Sequence, residues 1–280
     1  MMTAIPVFEV KNLSYDYPGN IPALKDVSFA VLPGQVVALA GANGSGKSTL
    51  LRLLDGLIFP AGGEINFGGV PLTEKALEDA AYARDFRSRV GLVFQDADVQ
   101  LFSATVWDEV IFGPLQLGIS KAEVVSRGLE ALELLGISHL KERPPYRLSG
   151  GEKKKVSIAC VLSLYPRVLL LDEPSSGLDP HSQGILIDFL IRWVESGNTL
   201  IFSTQDLDLV EELASRVIVL GTGHSIVADG QPEDFLSDAE FLLKTNLIHE
   251  HAHRHKSLVH RHQHAHEHQH PGKTGTRYKE

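Results

Sequence analysis

The glycine-rich segment GANGSGKS, at residues 41–48, is where residue types and spacing most clearly predict chemistry. It fits the phosphate-binding pattern G-x-x-x-x-G-K-[ST] and lies between a strand-like run, VVALA, and a helix-like run, TLLRLLDG. Glycines let backbone N–H groups turn towards phosphates, and the following helix presents its positive end to the same anions. This context disfavours the alternative, a glycine-rich turn with an incidental lysine. The candidate nucleotide-binding residues are Gly41, Asn43, Gly44, Ser45, Gly46, Lys47, Ser48 and Thr49.

Within this loop, two side chains have distinct expected roles. Lys47 is expected to reach the β- and γ-phosphates, and Ser48 to ligate Mg²⁺. A second segment, VLLLDEP at residues 168–174, places two carboxylates at the end of a buried strand. There Asp172 can hold Mg²⁺ through its water shell, and Glu173 can polarise an attacking water. In isolation this segment would be an ordinary acidic turn at a strand end.

A third segment, RLSGGEKKKVSIA at residues 147–159, combines a serine and two glycines with a helix-like continuation. Backbone N–H groups at a helix start form an anion site, so Ser149, Gly150 and Gly151 are a second candidate. A lone SGG would be only a flexible turn.

These segments need a scaffold of alternating strands and helices. Apolar runs at 168–172 (VLLLD) and 199–204 (TLIFST) predict strands, and apolar spacing predicts helices over 120–140 and 183–195. Short β-branched or apolar runs separated by turn signals fill residues 5–40. We therefore expect a largely parallel sheet covered by helices, with an antiparallel β part before it.

Composition excludes several classes of protein. The 280 residues carry a net charge of −9, which argues against the basic face of a nucleic-acid-binding protein. We expect neither a signal peptide nor a spanning helix, which would need about 18 consecutive apolar residues. The only cysteine, Cys160, lies in the apolar stretch VSIACVL, and we interpret it as a structural thiol in a reducing compartment.

The C-terminal segment has a different composition. Ten of the thirteen histidines occur there, and low complexity predicts that residues 248–280 are disordered. Alternating neutral imidazoles suit Ni²⁺, Co²⁺, Cu²⁺ or Zn²⁺, whereas a solubilising tail or a cloning artefact are the alternatives. The candidate Ni²⁺ or Co²⁺ ligands are His249, His251, His253, His255, His260, His262, His264, His266, His268 and His270.

Taken together, GANGSGKST, VFQD, LSGGE, LLLDEP and SGLD resemble the ATP-binding cassette (ABC) family in their order and separations. The resemblance covers residues 5–235. It implies an α/β fold of the P-loop NTPase type, with a mostly parallel core sheet, an antiparallel β subdomain and a helical signature subdomain. We assign residues 1–247 to an ATP-hydrolysing domain with Mg²⁺-ATP as cofactor and a helical subdomain at about 96–160. Residues 248–280 form the tail.

The resemblance also implies roles for residues outside the phosphate loop. Tyr17 matches the aromatic residue that stacks on adenine, although Tyr15 is an alternative and either could be plain strand packing. Gln95 matches the glutamine whose loop senses nucleotide and contacts the membrane subunit, and we count it among the catalytic and Mg²⁺-binding candidates.

The family's signature motif implies a dimer. Ser149, Gly150 and Gly151 match the signature that closes over the ATP of a partner subunit, and Asp179 matches the loop that links the two sites. We therefore expect a head-to-tail dimer, either a homodimer or a pair with another ATPase subunit.

Two positions depart from the family pattern. Gln205 follows the strand TLIFST where the family usually has a histidine that touches the γ-phosphate. Glutamine can still hydrogen-bond a phosphate oxygen or a water, but it has no charge to offer. Our hypothesis is that Gln205 supports turnover beside Glu173. In LSGGEKKKV, Glu152 suits the start of a helix, and we interpret the lysines at 153–155 as solvated.

Within the family, QLFSATVWDEVIFGP resembles energy-coupling-factor importer ATPases, especially their cobalt and nickel group. This implies an energy-coupling subunit at the cytoplasmic face of the cell membrane, with integral membrane coupling and substrate-capture subunits as partners. The alternatives are import of another micronutrient such as a vitamin, and a non-transport ABC ATPase. A metal-storage protein and a P-loop kinase fit less well, because neither needs the full set of motifs.

Overall fold

The structure is a computed structural model that describes residues 5–255 and 258–265. The chain alternates between strands and helices after the first glycine loop, as predicted. In chain order the strands are β1 (Phe8–Tyr17), β2 (Ile21–Val31), β3 (Val36–Ala40), β4 (Gly62–Phe67), β5 (Val70–Pro71), β6 (Val90–Val93), β7 (Val168–Asp172), β8 (Thr199–Thr204), β9 (Arg216–Leu220), β10 (Ile226–Gly230), β11 (Ile248–His255) and β12 (Leu258–Ala265).

Helices connect and cover these strands. In chain order they are α1 (Lys47–Leu54), α2 (Glu74–Glu78), α3 (Ala80–Arg89), α4 (Val106–Gln116), α5 (Lys121–Leu134), α6 (Gly150–Leu162), α7 (Pro180–Glu195), α8 (Leu207–Leu213), α9 (Glu233–Leu236) and α10 (Ala239–Lys244). Short 3-10 helices occur at Ala97–Val99, Ser138–Leu140 and Pro145–Arg147.

The strands form two main sheets. The larger sheet has the order β10-β9-β3-β8-β7-β6, in which β10 is antiparallel to β9 and the remaining neighbours are parallel. The smaller sheet has the order β2-β1-β4-β5 and is antiparallel throughout. The predicted fold class, a mostly parallel core sheet with an antiparallel β part, is confirmed.

The parallel sheet is buried on both faces, as strand β3 illustrates. Val37 and Leu39 pack in a hydrophobic cluster with β1, β2 and α1, whereas Val36, Ala38 and Ala40 pack in a second cluster with α4, α5, α6 and α7. Successive side chains of a strand point to opposite faces, so a strand covered on both sides is apolar at every position. This is why the central strands are uninterrupted apolar runs.

Helices α4, α5 and α6 pack on one another within residues 106–162. Helix α5 begins where the sequence predicts, because the Ser120 hydroxyl accepts a hydrogen bond from the Glu123 N–H. The apolar residues that predict this helix are not all buried: Leu132 is buried, but Val125 and Leu129 are exposed. No helix in the described part of the chain combines the length and hydrophobicity needed to cross a membrane.

Part of the C-terminal segment has the backbone of β-strands. Its backbone forms an antiparallel pair, β11 with β12, over residues 248–255 and 258–265. Alternation of histidine with other residues has period two, which also suits a strand. The side chains of the histidines from His249 to His264 lie outside the described part of the structure, and His266, His268 and His270 lie outside the described residues altogether.

Candidate functional site

The phosphate loop follows β3 and turns into α1. Two of its glycines have positive φ angles, 147° at Gly41 and 110° at Gly46. A Cβ atom on Gly41 would lie 2.4 Å from the carbonyl oxygen of Leu220, and one on Gly46 would lie 2.3 Å from that of Ala23. Any side chain at either position would force the backbone apart, so the loop requires glycine there.

Lys47 lies at the start of α1 and is buried, with 6% of its surface exposed. Its Nζ atom donates hydrogen bonds to the carbonyl oxygens of Gly41 (2.7 Å) and Ala42 (3.1 Å), which hold it across the loop. Burial lowers the pKa of Lys47, while the nearby carboxylates of Glu173 and Asp172 oppose this shift. A partly desolvated ammonium group is well placed to bind a phosphate.

Two of the three predicted Mg²⁺ ligands, Ser48 and Asp172, are adjacent. The Ser48 hydroxyl donates a hydrogen bond to Asp172 Oδ1 (3.0 Å), and the Ser203 hydroxyl donates to the same oxygen (2.6 Å). Mg²⁺ is a hard cation that prefers oxygen ligands and keeps several waters, and this hydroxyl–carboxylate pair fits it. Bound there, Mg²⁺ would neutralise charge on the β- and γ-phosphates.

Glu173 follows β7 with a positive φ of 47°, and its backbone N–H is bonded to both oxygens of Ser203: the carbonyl at 3.2 Å and the hydroxyl at 3.0 Å. Burial raises the pKa of Glu173, and the ammonium of Lys47 partly offsets this. A carboxylate with a raised pKa is a better proton acceptor, which is what a general base near neutral pH needs.

Gln205 directly follows β8, which lies between β3, the strand before the phosphate loop, and β7, the strand before Glu173. Strand pairing aligns Ala40 with Thr204, so the residue after β8 lies beside the phosphate loop. The Gln205 amide Nε2 donates a hydrogen bond to the side-chain oxygen of Asn43. The structure thus brings Gln205 to the loop that the sequence analysis assigns to phosphate.

Tyr17, at the end of β1, also lies against the phosphate-loop helix. Its hydroxyl is 3.1 Å from Thr49 Oγ1 and accepts a hydrogen bond from Arg52. Tyr15 packs edge-on against Tyr17, with ring centroids 5.1 Å apart, and contributes to the hydrophobic cluster beneath. Of the two aromatic candidates, Tyr17 is the one bonded to α1; its stacking on adenine stays a prediction.

The signature residues lie elsewhere on the subunit. Ser149 caps α6 in a capping box with Glu152: its hydroxyl accepts from the Glu152 N–H, and its own N–H donates to the Glu152 carboxylate (2.8 Å). The hydrogen bond from the Ser149 backbone lowers the pKa of Glu152. In the described residues no hydrogen bond joins positions 149–151 to the phosphate loop.

Asp179 and Gln95 are not bonded to the phosphate loop either, within the part of the chain that the structure describes. Asp179 caps α7 and accepts hydrogen bonds from the backbone N–H (3.0 Å) and hydroxyl (2.6 Å) of Ser182, and these bonds lower its pKa. Gln95 is exposed in the turn after β6. The roles assigned to Gln95, Asp179 and the signature remain predictions.

Two residues at or near the site, Ser203 and Lys154, are not among the residues that the sequence predicts to be functional. Ser203 binds both Asp172 and the Glu173 backbone, and nothing in the run TLIFST marks it. Lys154 is only 2% exposed, so its interpretation as a solvated lysine is wrong. A signal was present: Lys154 stands four and seven positions before the buried residues Ile158 and Val161, the spacing of one helix face.

A phosphate loop, an oxygen-rich Mg²⁺ pair and a buried glutamate at one edge of a parallel sheet define a P-loop nucleotide hydrolase. Residues 24–176, which include all three features, match the profile of the family described as ABC transporter. The chain belongs to this family as an ATP-binding subunit, and the predicted activity, ATP hydrolysis with Mg²⁺, is confirmed.

Specific relatives agree with this assignment. The chain is 47% identical to the nickel import ATP-binding protein NikO of Rhodobacter capsulatus, over 87% of this chain and 96% of that protein. It superimposes on cbiO1 of Clostridium perfringens, part of the transporter complex cbiONQ, with a TM-score of 0.71, 36% identity and coverage of 86% and 95%. A dimeric ATP-binding cassette bound to ADP and Pi gives a TM-score of 0.73, 26% identity and coverage of 80% and 98%.

Proposed function

We propose that this chain is the ATP-hydrolysing, energy-coupling subunit of a membrane importer for nickel or cobalt ions, of the energy-coupling-factor type. It works at the cytoplasmic face of the membrane with integral coupling and substrate-capture subunits. Its likeness to a nickel import ATP-binding protein and to cbiO1 supports the metal cargo. The stretch QLFSATVWDEVIFGP supports the energy-coupling type.

The observation that supports a docking role is an apolar surface formed in part by residues that follow Gln95 closely in the chain. Val99 and Phe102 each expose 68% of their surface, and the partly exposed ring of Phe112 meets Phe102 edge-on at 5.0 Å. Large apolar side chains that cluster on a surface mark protein–protein contacts. On this proposal an apolar helix end of a membrane coupling subunit docks on this patch, and Gln95, which precedes Val99 in the same turn, would report its engagement to the nucleotide site.

The phosphate site is proposed to be completed by a second subunit. Ser149, Gly150 and Gly151 present the N-terminal end of α6, where free N–H groups favour an anion. Because they are not bonded to their own phosphate loop among the described residues, they are free to close over the ATP of a partner. The similar cassette that is dimeric with ADP and Pi supports this arrangement.

The tail is proposed to collect the transported metal. The strand register of β11 and β12 sets His249 opposite His264, His251 opposite His262 and His253 opposite His260. Neutral imidazoles at many positions of one segment suit Ni²⁺ or Co²⁺, which supports a metal-binding role for the tail. Many histidines in one segment would bind several ions exchangeably, as a buffer or delivery element requires.

The cargo is testable in the native host. Deletion of the gene should abolish uptake of radioactive nickel or cobalt, and the wild-type gene should restore it, whereas Glu173→Gln should not. Uptake of both metals that persists in the deletion strain, with loss of a vitamin instead, would overturn the metal assignment and favour the micronutrient alternative.

The tail is testable with purified protein. A chain that ends at Leu247 should lose most Ni²⁺ binding in equilibrium dialysis while it keeps ATP binding, because every residue assigned to ATP in either subunit precedes residue 248. Equal Ni²⁺ binding by the full and shortened chains would show that the tail is not the metal site.

A further inference from the structure

Lys154 is a buried cation whose hydrogen-bond partners are main-chain carbonyls. Its Nζ atom donates to the carbonyl oxygens of Phe94 (2.9 Å), Gln95 (3.2 Å) and Asp172 (3.3 Å). An ammonium group has three donors, so these three bonds use all of them. A lysine is almost never this buried without such compensation, and this one joins segments from three elements.

The three carbonyls belong to two segments, the turn after β6 and the end of β7. Phe94 and Gln95 begin the turn after β6, whose glutamine is the expected sensor of nucleotide and membrane subunit. Asp172 ends β7 and is the carboxylate bonded to Ser48. The Lys154 ammonium therefore bonds both the Gln95 turn and the end of β7 to α6, the helix that carries Lys154.

Further bonds tie the same turn to α6. Lys153 Nζ forms an ion pair with Asp98 (2.5 Å), and Gln100 Nε2 donates to the carbonyl oxygen of Ser157 (2.9 Å). Residues 94–100 are thus held on the helix that begins with the signature. Strand pairing already joins β6 to β7 as far as Val93 and Leu171. Lys154 extends this connection beyond the last strand pair and, of the three ties, is the one that also bonds α6 to Asp172.

The buried position of Lys154 disfavours its charged form. Burial lowers the pKa of Lys154 to about 8, and the nearby carboxylates of Asp172, Glu173 and Asp96 oppose this lowering. The Lys154 ammonium in turn helps to keep Glu173 ionised, since it is among the groups that lower the Glu173 pKa. The cation therefore acts on both the geometry and the charge of the hydrolytic site.

We propose that Lys154 is a positioning residue for ATP hydrolysis. It holds the Gln95 turn and the Asp172–Glu173 turn on α6, the helix that begins with the signature, so that the two turns and the helix move together. It does not touch substrate. Its effect is exerted through the main chain of Gln95 and Asp172 and reaches the Mg²⁺ ligands.

The test compares Lys154→Met, Lys154→Arg and a control on the same helix, Lys155→Met, which removes the same charge from a more exposed position. Measured quantities are kcat, the KM for ATP, the Mg²⁺ concentration for half-maximal turnover, and the affinity for a fluorescent ATP derivative with Mg²⁺ and with EDTA. Thermal unfolding shows which variants fold. The binding measurements need no turnover, so they test the proposal even if the isolated subunit hydrolyses ATP slowly.

For Lys154→Met we expect kcat to fall about tenfold or more, because a small misplacement of catalytic groups has effects of that size. The Mg²⁺ requirement should rise several-fold, while ATP affinity in EDTA stays within about twofold of wild type, since Lys47 and the phosphate loop are unchanged. Lys154→Arg should recover part of kcat, and Lys155→Met should match wild type. An unchanged kcat and an unchanged Mg²⁺ requirement for Lys154→Met would overturn the proposal. A loss of ATP affinity in EDTA together with a lower melting temperature would also overturn it, because it would show that Lys154 only stabilises the fold.

Discussion

The side-chain amide of Gln205 donates a hydrogen bond to the side-chain oxygen of Asn43, which lies 162 positions earlier in the phosphate loop. The pair joins the end of β8 to the loop that precedes α1, and it holds an uncharged donor where the family usually has histidine. Gln205 can therefore be oriented towards a phosphate oxygen or a water without carrying a charge.

From this pair we predict that Gln205→Ala lowers kcat by roughly a hundredfold, the usual effect of removing one oriented donor from a charge-stabilising site. Gln205→His should stay within about tenfold of wild type, because another donor replaces the amide. Steady-state ATPase assays measure both. An increase of orders of magnitude for Gln205→His would instead show that the native site is catalytically degenerate.

Asn43→Ala separates two explanations of the Gln205 effect. This variant removes the partner of the amide but leaves Gln205 itself in place. If Gln205 acts on the nucleotide, Asn43→Ala should lose less activity than Gln205→Ala. Equal losses would mean that the amide pair matters only as a tie between β8 and the loop.

Glu173 gives the second prediction. Glu173→Gln keeps the side-chain volume but removes the proton acceptor, so kcat should fall by about 10²- to 10⁴-fold while ATP still binds. ATP should then hold the protein as a dimer, which light scattering with and without ATP can detect. Turnover close to wild type would exclude Glu173 as the base.

The raised pKa of Glu173 gives a third prediction, on stability. A carboxyl group that binds its proton more tightly in the folded state makes folding less favourable as pH rises from the ordinary carboxyl pKa to the raised one, and the cost remains at higher pH. Glu173→Gln removes this cost. We therefore expect the variant to melt at a higher temperature than wild type at pH 7–8, with a smaller difference at pH 4. Melting curves by circular dichroism test this, and a difference that does not change with pH would contradict it.

The fourth prediction concerns the phosphate loop. Gly46→Ala should abolish ATP binding and destabilise the fold, because the added Cβ would lie 2.3 Å from the carbonyl oxygen of Ala23 at a φ of 110°. Gly184→Ala is the matched control: Gly184 is inside α7, and a Cβ there meets nothing within 4 Å. The control should gain up to about 1 kcal/mol of stability. Urea unfolding and nucleotide binding measure both, and intact ATP binding by Gly46→Ala would contradict the steric argument.

Contiguous features of the fold and site could be predicted from sequence. The runs VLLLD and TLIFST match β7 and β8 to the residue, because strands covered on both faces are apolar throughout. The phosphate loop was identifiable because its glycines, lysine and serine lie within eight residues of one another.

Contacts between residues that are far apart in the sequence could not be predicted from it. Ser203 and Asp172, and Gln205 and Asn43, meet only because β8 is inserted between β3 and β7. Helix α5 shows a different limit: periodicity predicts the helix, but exposed Leu129 has the same residue type as buried Leu132. Periodicity gives the element, and tertiary packing decides which apolar residues it buries.

The last prediction distinguishes Tyr17 from Tyr15. If the Tyr17 ring stacks on adenine, Tyr17→Ala should weaken ATP binding by roughly tenfold, within the range of one aromatic stacking contact, whereas Tyr17→Phe should bind nearly as wild type. Tyr15→Ala should lower stability more than affinity, since Tyr15 packs against the hydrophobic cluster.

Inorganic tripolyphosphate is the control ligand for Tyr17→Ala, because it offers the phosphates without a base. Competition binding should give the same tripolyphosphate affinity for wild type and Tyr17→Ala, since the lost contact is with adenine alone. If the variant loses affinity for both ligands equally, the Tyr17 hydroxyl acts through Thr49 to hold α1 and the phosphate loop, and the ring does not bind the base.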